Sequence, residues 1–320
     1  MPTAIAITKR EFAELVDVAP TGSPSDHEVV GRTLCTLVSP GTELAWNYTG
    51  ASFPNYPGYA GTFEVTQVGS AVNHLKHGDI VFARTGHRSE SKLAAEDAVK
   101  VPAGLEPSVA VLARLMGVSM TTLITTSARP SNNVVVSGLG PVGYLAAHAF
   151  QRSGYNVVGV DPIAERRDIA AKSGIRQVLD HIPLDGPDAL PDIALVVECS
   201  GHEQAVLDAC RCVRRLGEVV LVGVPWRKMT DLSAFDVLHA VFHKYAVLRS
   251  GWEWQLPEHT SPFSGQSLHS NYATALEWLA EGAIPTGGLV TLNKPTDAQS
   301  VYQALLNRQM PGLFAVFDWR

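Results

Sequence analysis

The spacing of apolar positions divides this chain of 320 residues into three stretches. In the first, apolar or alternating runs at 4–8, 29–38, 61–68 and 79–83 are separated by Pro20, Gly22, Pro24, Pro40, Gly41, Pro54, Pro57 and Gly58. Short runs so punctuated predict a β-rich unit. Residues 106–126, EPSVAVLARLMGVSMTTLITT, read as one or two apolar helices. From Asn132 the pattern alternates strand with helix. Strands are expected at 134–136, 156–160, 177–179, 193–198, 219–224 and 246–249. Helices are expected up to about 153 and at 163–172, 204–215 and 233–245. Six parallel-type strands with crossover helices predict an α/β fold with a doubly wound parallel sheet. The last stretch predicts a helix at 272–280, a strand at 289–292, a helix at 297–307 and a strand at 313–318.

The turn after the first of the six strands carries Gly138, Gly140 and Gly143 in G-x-G-x-x-G spacing, with Leu139, Pro141 and Val142 between them. Gly138 suits a tight turn, Gly140 a close backbone approach to a pyrophosphate, and Gly143 close packing of helix on strand. The opening amides of that helix would face the phosphates. Asp161 ends the second strand, 18 residues after Gly143, where a carboxylate accepts hydrogen bonds from the adenosine ribose. A 2′-phosphate would be repelled there, so NAD(H) is the expected cofactor, with Arg166 over the adenine.

Composition narrows the alternatives. Hydrophobic residues make up 46% and the net charge is −6 without a basic block, which argues against nucleic acid or an anionic membrane as partner. No run of eighteen apolar residues is present, and the N-terminus lacks the apolar core of a signal peptide, so a cytoplasmic location is expected. The four cysteines have no zinc-site spacing. His239 and His243 have i,i+4 spacing but lack the glutamate of H-E-x-x-H helices and read as structural.

TLVSPGTEL ending at Leu44, YPGYAGTFEVTQVG (56–69), HGDIVFA (77–83), VSGLGPVGYLAA (136–147) and VVECSG (196–201) together resemble the medium-chain dehydrogenase/reductase superfamily. SPGTE and the short length look most like its bacteriochlorophyllide dehydrogenase-like group. The resemblance implies a GroES-like catalytic domain at 1–117 and 257–320 and a Rossmann domain at 118–256. It implies hydride transfer in a cleft between them and a homodimer paired through strand 246–249. Cofactor contacts are implied at Cys199, Ser200, Gly201, Val222, Gly223 and Val224. Where zinc relatives carry their ligands, this chain has Pro40, Tyr59 and Met116, so a zinc-independent enzyme is expected. Thr42 is implied as proton relay and Tyr59 as hydrogen-bond donor, with His87 as a further acid/base candidate and Glu43 as a residue that orients a neighbour.

Trp46, Tyr48, Met116 and Trp252, with Trp226, Trp254 and Phe263 nearby, would wall a substrate pocket. Polar residues His259, Ser261, Ser264, Gln266 and His269 add a sugar- or cyclitol-like substrate to the expectation. An enoyl or quinone reductase is the nearest alternative reading, and a non-catalytic nucleotide-binding sensor is one of another class.

Overall fold

Strands form where β-branched runs can bury one or both faces. In the computed structural model, which describes residues 1–185 and 189–320, the first stretch gives β1 (Thr3–Lys9), β2 (Phe12–Asp17), β3 (Glu28–Leu37), β4 (Gly61–Val68), β5 (Ile80–Ala83), β6 (Glu90–Ala94) and β7 (Val99–Lys100). A short turn, Pro107–Ala110, leads to α1 (Ala113–Thr125). There follow β8 (Asn133–Ser137), α2 (Pro141–Arg152), β9 (Asn156–Val160), α3 (Ala164–Lys172), β10 (Gln177–Leu179) and β11 (Ile193–Glu198). Next come α4 (Glu203–Cys212), β12 (Val213–Leu221), α5 (Ala234–Lys244), β13 (Val247–Ser250) and α6 (Leu268–Ala280). The chain ends with β14 (Val290–Asn293), α7 (Ala298–Leu306) and β15 (Phe314–Asp318).

The chain divides into two compact units, Met1–Arg114 with Tyr272–Gly282 and Thr286–Arg320, and Leu115–Asn271 with Ala283–Pro285. Residues 257–271, read from sequence as part of the catalytic domain, fall in the second unit. In the first, a sheet runs β14-β15-β3-β4-β5-β7, with β6 also paired to β3. In the second, the order is β10-β9-β8-β11-β12-β13, every pair parallel. Alternate residues of its central strands feed opposite cores. Val134, Val136, Leu195 and Val197 enter one; Val135, Val196 and Val219 enter the other. The sheet is therefore covered on both faces, as a parallel sheet requires.

Boundaries move where burial overrides periodicity. The helix expected to reach 215 stops at Cys212, because Val213 is buried and pairs with Ile193. Leu216 then takes φ +61°, and the chain returns to the sheet. β2, β6 and β7 have no counterpart in the hydrophobic pattern, being short and partly exposed. Among the described residues, Pro107–Thr125 alone is long and apolar enough to cross a membrane, and most of it is buried as a core helix.

On α2, His148 is 4% exposed; its Nε2 lies 2.9 Å from Ser173 Oγ, and its ring packs edge-on against Tyr144. Burial pushes its pKa down from 6.5 to about 4. The unfolded chain thus takes up a proton near pH 6.5 that the folded chain refuses until about pH 4. Stability is complete above that window and falls as pH drops through it, by up to about 3 kcal/mol. His148→Gln is expected to flatten the unfolding midpoint against pH in this range. An unchanged slope would assign the effect to other groups.

Candidate functional site

β8 lies between β9 and β11, where the strand order reverses and a crevice opens beyond the carboxyl ends of the strands. The chain leaves β8 through Gly138 at φ +88°, a conformation suited to glycine. A Cβ on Gly143 would stand 1.6 Å from the Gly138 carbonyl oxygen, so packing alone excludes one. Gly140 differs. The three atoms nearest a Cβ there belong to the Arg166 guanidinium, from an ordinary 3.6 Å. The contacts within the protein do not forbid a side chain at Gly140, and a bare backbone there suits the close approach of a ligand. Gly140 is also the N-cap of α2 and offers no side chain to its opening amides. Those amides and the positive end of the helix suit an anion such as a diphosphate.

Asp161 follows β9 and is 1% exposed. Its Oδ2 accepts from the Leu139 amide at 2.7 Å and lies 3.4 Å from Arg166 Nη1, and its Oδ1 accepts from the Ile163 amide at 2.8 Å. A carboxylate has about four acceptor positions, so one remains for a hydroxyl. The loops after β11 and β12 press backbone on backbone. A Cβ on Gly223 would lie 2.5 Å from the Gly201 nitrogen, and one on Gly201 would lie 2.5 Å from the Val224 oxygen. Buried Glu198 shapes the first loop by accepting from the amides of Ser200 at 2.8 Å and Gly201 at 3.0 Å and from the Ser200 hydroxyl. Val222 is buried, while Ser200 and Val224 are exposed. Burial raises the Cys199 thiol well above its ordinary range, so it is no nucleophile.

In the first unit, Ser39 opens a helical stretch, Pro40–Thr42, that widens into a π-helical turn, Glu43–Tyr48. The Tyr59 phenol donates to Ser39 Oγ, and Thr42 Oγ1 lies 3.4 Å from the phenol oxygen. Arg114, 5% exposed, stacks its guanidinium 4.6 Å from the centre of the Tyr59 ring. Burial raises the phenol's pKa, and the bonds to Ser39 and Thr42 and the Arg114 charge oppose this without cancelling it. Tyr59 is thus a protonated donor at neutral pH, not a base.

Glu43 and His87 form a buried pair behind that donor, and the Glu43 charge also raises the phenol's pKa. Both are essentially fully buried, and His87 is no solvated loop residue. Glu43 Oε2 accepts from the Tyr302 hydroxyl at 2.5 Å and lies 3.0 Å from His87 Nε2; Oε1 accepts from the Ser39 amide at 2.8 Å. His87 Nδ1 lies 2.8 Å from Thr36 Oγ1, which also accepts from the Trp319 indole at 2.9 Å. A carboxylate only accepts, so Nε2 donates to Glu43, while either Nδ1 or the Thr36 hydroxyl is the donor of the other contact. Both ring nitrogens have partners inside the fold, which leaves none for the acid/base work expected of His87, while Glu43 holds its neighbours as expected.

The expected aromatic wall also needs correction. Tyr48 is fully buried, stacks 5.1 Å from Tyr302 and donates to the Glu11 carbonyl at 2.9 Å, so it belongs to the core. Met116 is buried as well. Trp46 and Trp252 are 67% and 68% exposed. The sequence reading missed two members of the Tyr59 cluster. Arg114 had a visible signal, the one charge inside 107–125. Ser39 had none beyond its neighbours.

The family model described as zinc-binding dehydrogenase matches residues 141–255, within the second unit. L-threonine 3-dehydrogenase of Pyrococcus furiosus is 26% identical over 295 residues, covering 78% of this chain and 84% of the relative. These matches support the resemblance to the medium-chain dehydrogenase/reductase superfamily. Alcohol dehydrogenase 1 of Trifolium repens is 36% identical over 108 residues, 30% of this chain; the match spans only 28% of that relative. Among solved structures, galactitol-1-phosphate dehydrogenase from Escherichia coli superposes with TM-score 0.82 at 16% identity over 99% of both chains. The E. coli quinone oxidoreductase complexed with NADPH gives 0.77 at 19% over 99% of both. The acetophenone reductase of Geotrichum candidum with NAD gives 0.79 at 17%, covering 99% of this chain and 97% of that one. The segment matched by the family model contains neither Tyr59 nor Arg114.

Proposed function

We propose that the chain is an NAD(H)-dependent oxidoreductase that acts on a hydroxyl or carbonyl group of a small molecule, sugar- or cyclitol-like in the fullest form of the reading, without a metal. The observation that carries the proposal is the glycine turn after β8, where Gly140 caps α2 without a side chain and Asp161 accepts from the Leu139 amide. Gly138, Leu139, Gly140, Pro141, Val142 and Gly143 would hold the diphosphate, Asp161 the ribose, and the loops at 199–201 and 222–224 the nicotinamide half. When bound, the coenzyme supplies or accepts the hydride. The protein's part is the proton: Tyr59 donates to the oxygen of a carbonyl as it is reduced, and Ser39 and Thr42 relay a replacement proton from water to the phenol.

Zinc does not fit the Tyr59 cluster. Zinc is held by thiolate, imidazole or carboxylate. Two hydroxyls, a phenol and a guanidinium surround this position, and the carboxylate and imidazole of Glu43 and His87 are bound to each other. A cluster built on a cation would repel a second one.

Asp161 supports NADH over NADPH, whereas Arg166 beside it could pair with a 2′-phosphate if released. Asp161→Ala is therefore expected to weaken NADH binding about tenfold or more and to narrow the gap to NADPH. Fluorescence titration of both coenzymes checks this, and tighter NADPH binding by the unaltered protein would overturn the NAD reading. Reduction of an activated C=C bond is the second reading, because an oxygen-stabilising cluster without metal serves an enolate equally well. Turnover across polyols, ketones, enones and quinones separates the two, and silence throughout would favour a sensor. A homodimer along β13 is supported by that strand's place at the sheet edge and by exposed Phe235, Leu238 and Phe242 on α5, the helix preceding it.

A further inference from the structure

We infer that His239 and His243, one turn apart on the exposed face of α5, form a site for a late first-row divalent metal ion, Zn²⁺, Cu²⁺ or Ni²⁺, to which each imidazole gives one nitrogen. The inference is independent of the hydride-transfer reading, because the pair lies in the second unit and no step proposed above uses it.

The sequence reads this pair as structural, but the structure leaves both side chains exposed, so packing does not account for them. α5 is a regular helix from Ala234 to Lys244, opened by the Ser233 hydroxyl, which accepts from the Phe235 amide at 3.1 Å. On such a helix, residues four apart lie on one face. The two imidazoles accordingly meet, with ring centres 4.2 Å apart and planes tilted by 46°. That separation is within the span one ion needs when it is bonded at about 2 Å to a nitrogen of each ring. Phe235 lies 5.6 Å from His239, and Phe242 packs edge-on 5.3 Å from His243. Each imidazole thus has a ring neighbour that limits its freedom and lowers the entropy cost of holding an ion.

The ring nitrogens are also available. Those of His87 and Nε2 of His148 are held inside the fold, whereas among the described residues no hydrogen bond engages either ring of the α5 pair. Charge favours a cation here in two ways. Asp236 stands three residues before His239 on the same side of the helix, and His243 lies in the last turn, at the negative end of the helix dipole. Imidazole suits Zn²⁺, Cu²⁺ and Ni²⁺, whereas Ca²⁺ and Mg²⁺ take oxygen ligands, which fixes the class of ion. Two protein ligands leave the other coordination positions to water.

The test is isothermal titration calorimetry of chelator-treated protein with Zn²⁺ and with Cu²⁺, beside an NADH fluorescence titration of the same samples. Wild-type protein is expected to bind both ions saturably, and Cu²⁺ more tightly, following the usual order of affinities for nitrogen sites. His239→Gln and His243→Gln should each weaken one binding equivalent at least about tenfold, because a direct ligand counts for no less than the outer partners whose loss costs that much. NADH affinity should be the same in all three proteins. No saturable binding by wild type, or an ion bound as tightly by either variant as by wild type, overturns the site. The wild-type arm needs no variant to fold, and both substituted positions are exposed. Normal NADH binding without metal binding sinks the histidine site alone, whereas failure of the wild-type protein to bind NADH sinks the broader functional reading.

Discussion

Replacing Tyr59 by phenylalanine is expected to lower turnover by about a hundredfold or more while leaving NADH affinity unchanged. The hydroxyl is removed, but the ring stays to carry the stacked Arg114, so the loss falls on the proton and the developing oxygen charge. Thr42→Ala should cost less, because the phenol donates to Ser39 and Thr42 stands farther away, at 3.4 Å. Steady-state kinetics on the best substrate of the panel reads both variants, and coenzyme titration provides the control. If Tyr59→Phe turns over like the parent protein, the proton is handled elsewhere.

Removing Glu43 should be the most damaging single change to stability. Its carboxylate accepts from Ser39 and Tyr302 and pairs with His87, all in a fully enclosed site. Burial, followed by the Glu43 charge and hydrogen bond, raises the Tyr302 hydroxyl well above its ordinary range, so that proton stays to be shared. Glu43→Ala leaves these donors without an acceptor, and a loss of about 3–5 kcal/mol is expected, as for other broken buried pairs. Denaturant unfolding measures it. A loss below about 1 kcal/mol would mean that water or a neighbour replaces the carboxylate at little cost. Because Glu43 also holds the Ser39 amide, a variant that folds should lose activity through a displaced Ser39 rather than through a missing acid.

The parallel sheet was legible because its strands are buried on both faces and alternate with helices of regular length. The glycine turn was legible for a related reason: Gly138 and Gly143 are demanded by φ and by packing, and Asp161 closes the strand that follows. The catalytic unit was harder to read. Tyr302 lies 259 residues from Glu43, and no local period announces such a contact. His87 sits among Arg88 and Glu90 and therefore reads as solvated, yet Thr36, Glu43 and Phe317 enclose it. Tyr48 reads as a pocket aromatic until its stacking on Tyr302 places it in the core. Arg114 was legible in principle. A charge inside an apolar helix must be paired or useful, and weighing that rule against the alignment of Met116 would have singled it out.

Metal content and NADH-dependent turnover measured on one preparation, before and after exhaustive dialysis against a chelator, bear most directly on whether the Tyr59 cluster works without an ion. Unchanged turnover in protein free of stoichiometric zinc is the expected result. Zinc bound in equal amount to the chain, with activity lost on its removal and restored on its return, would contradict it.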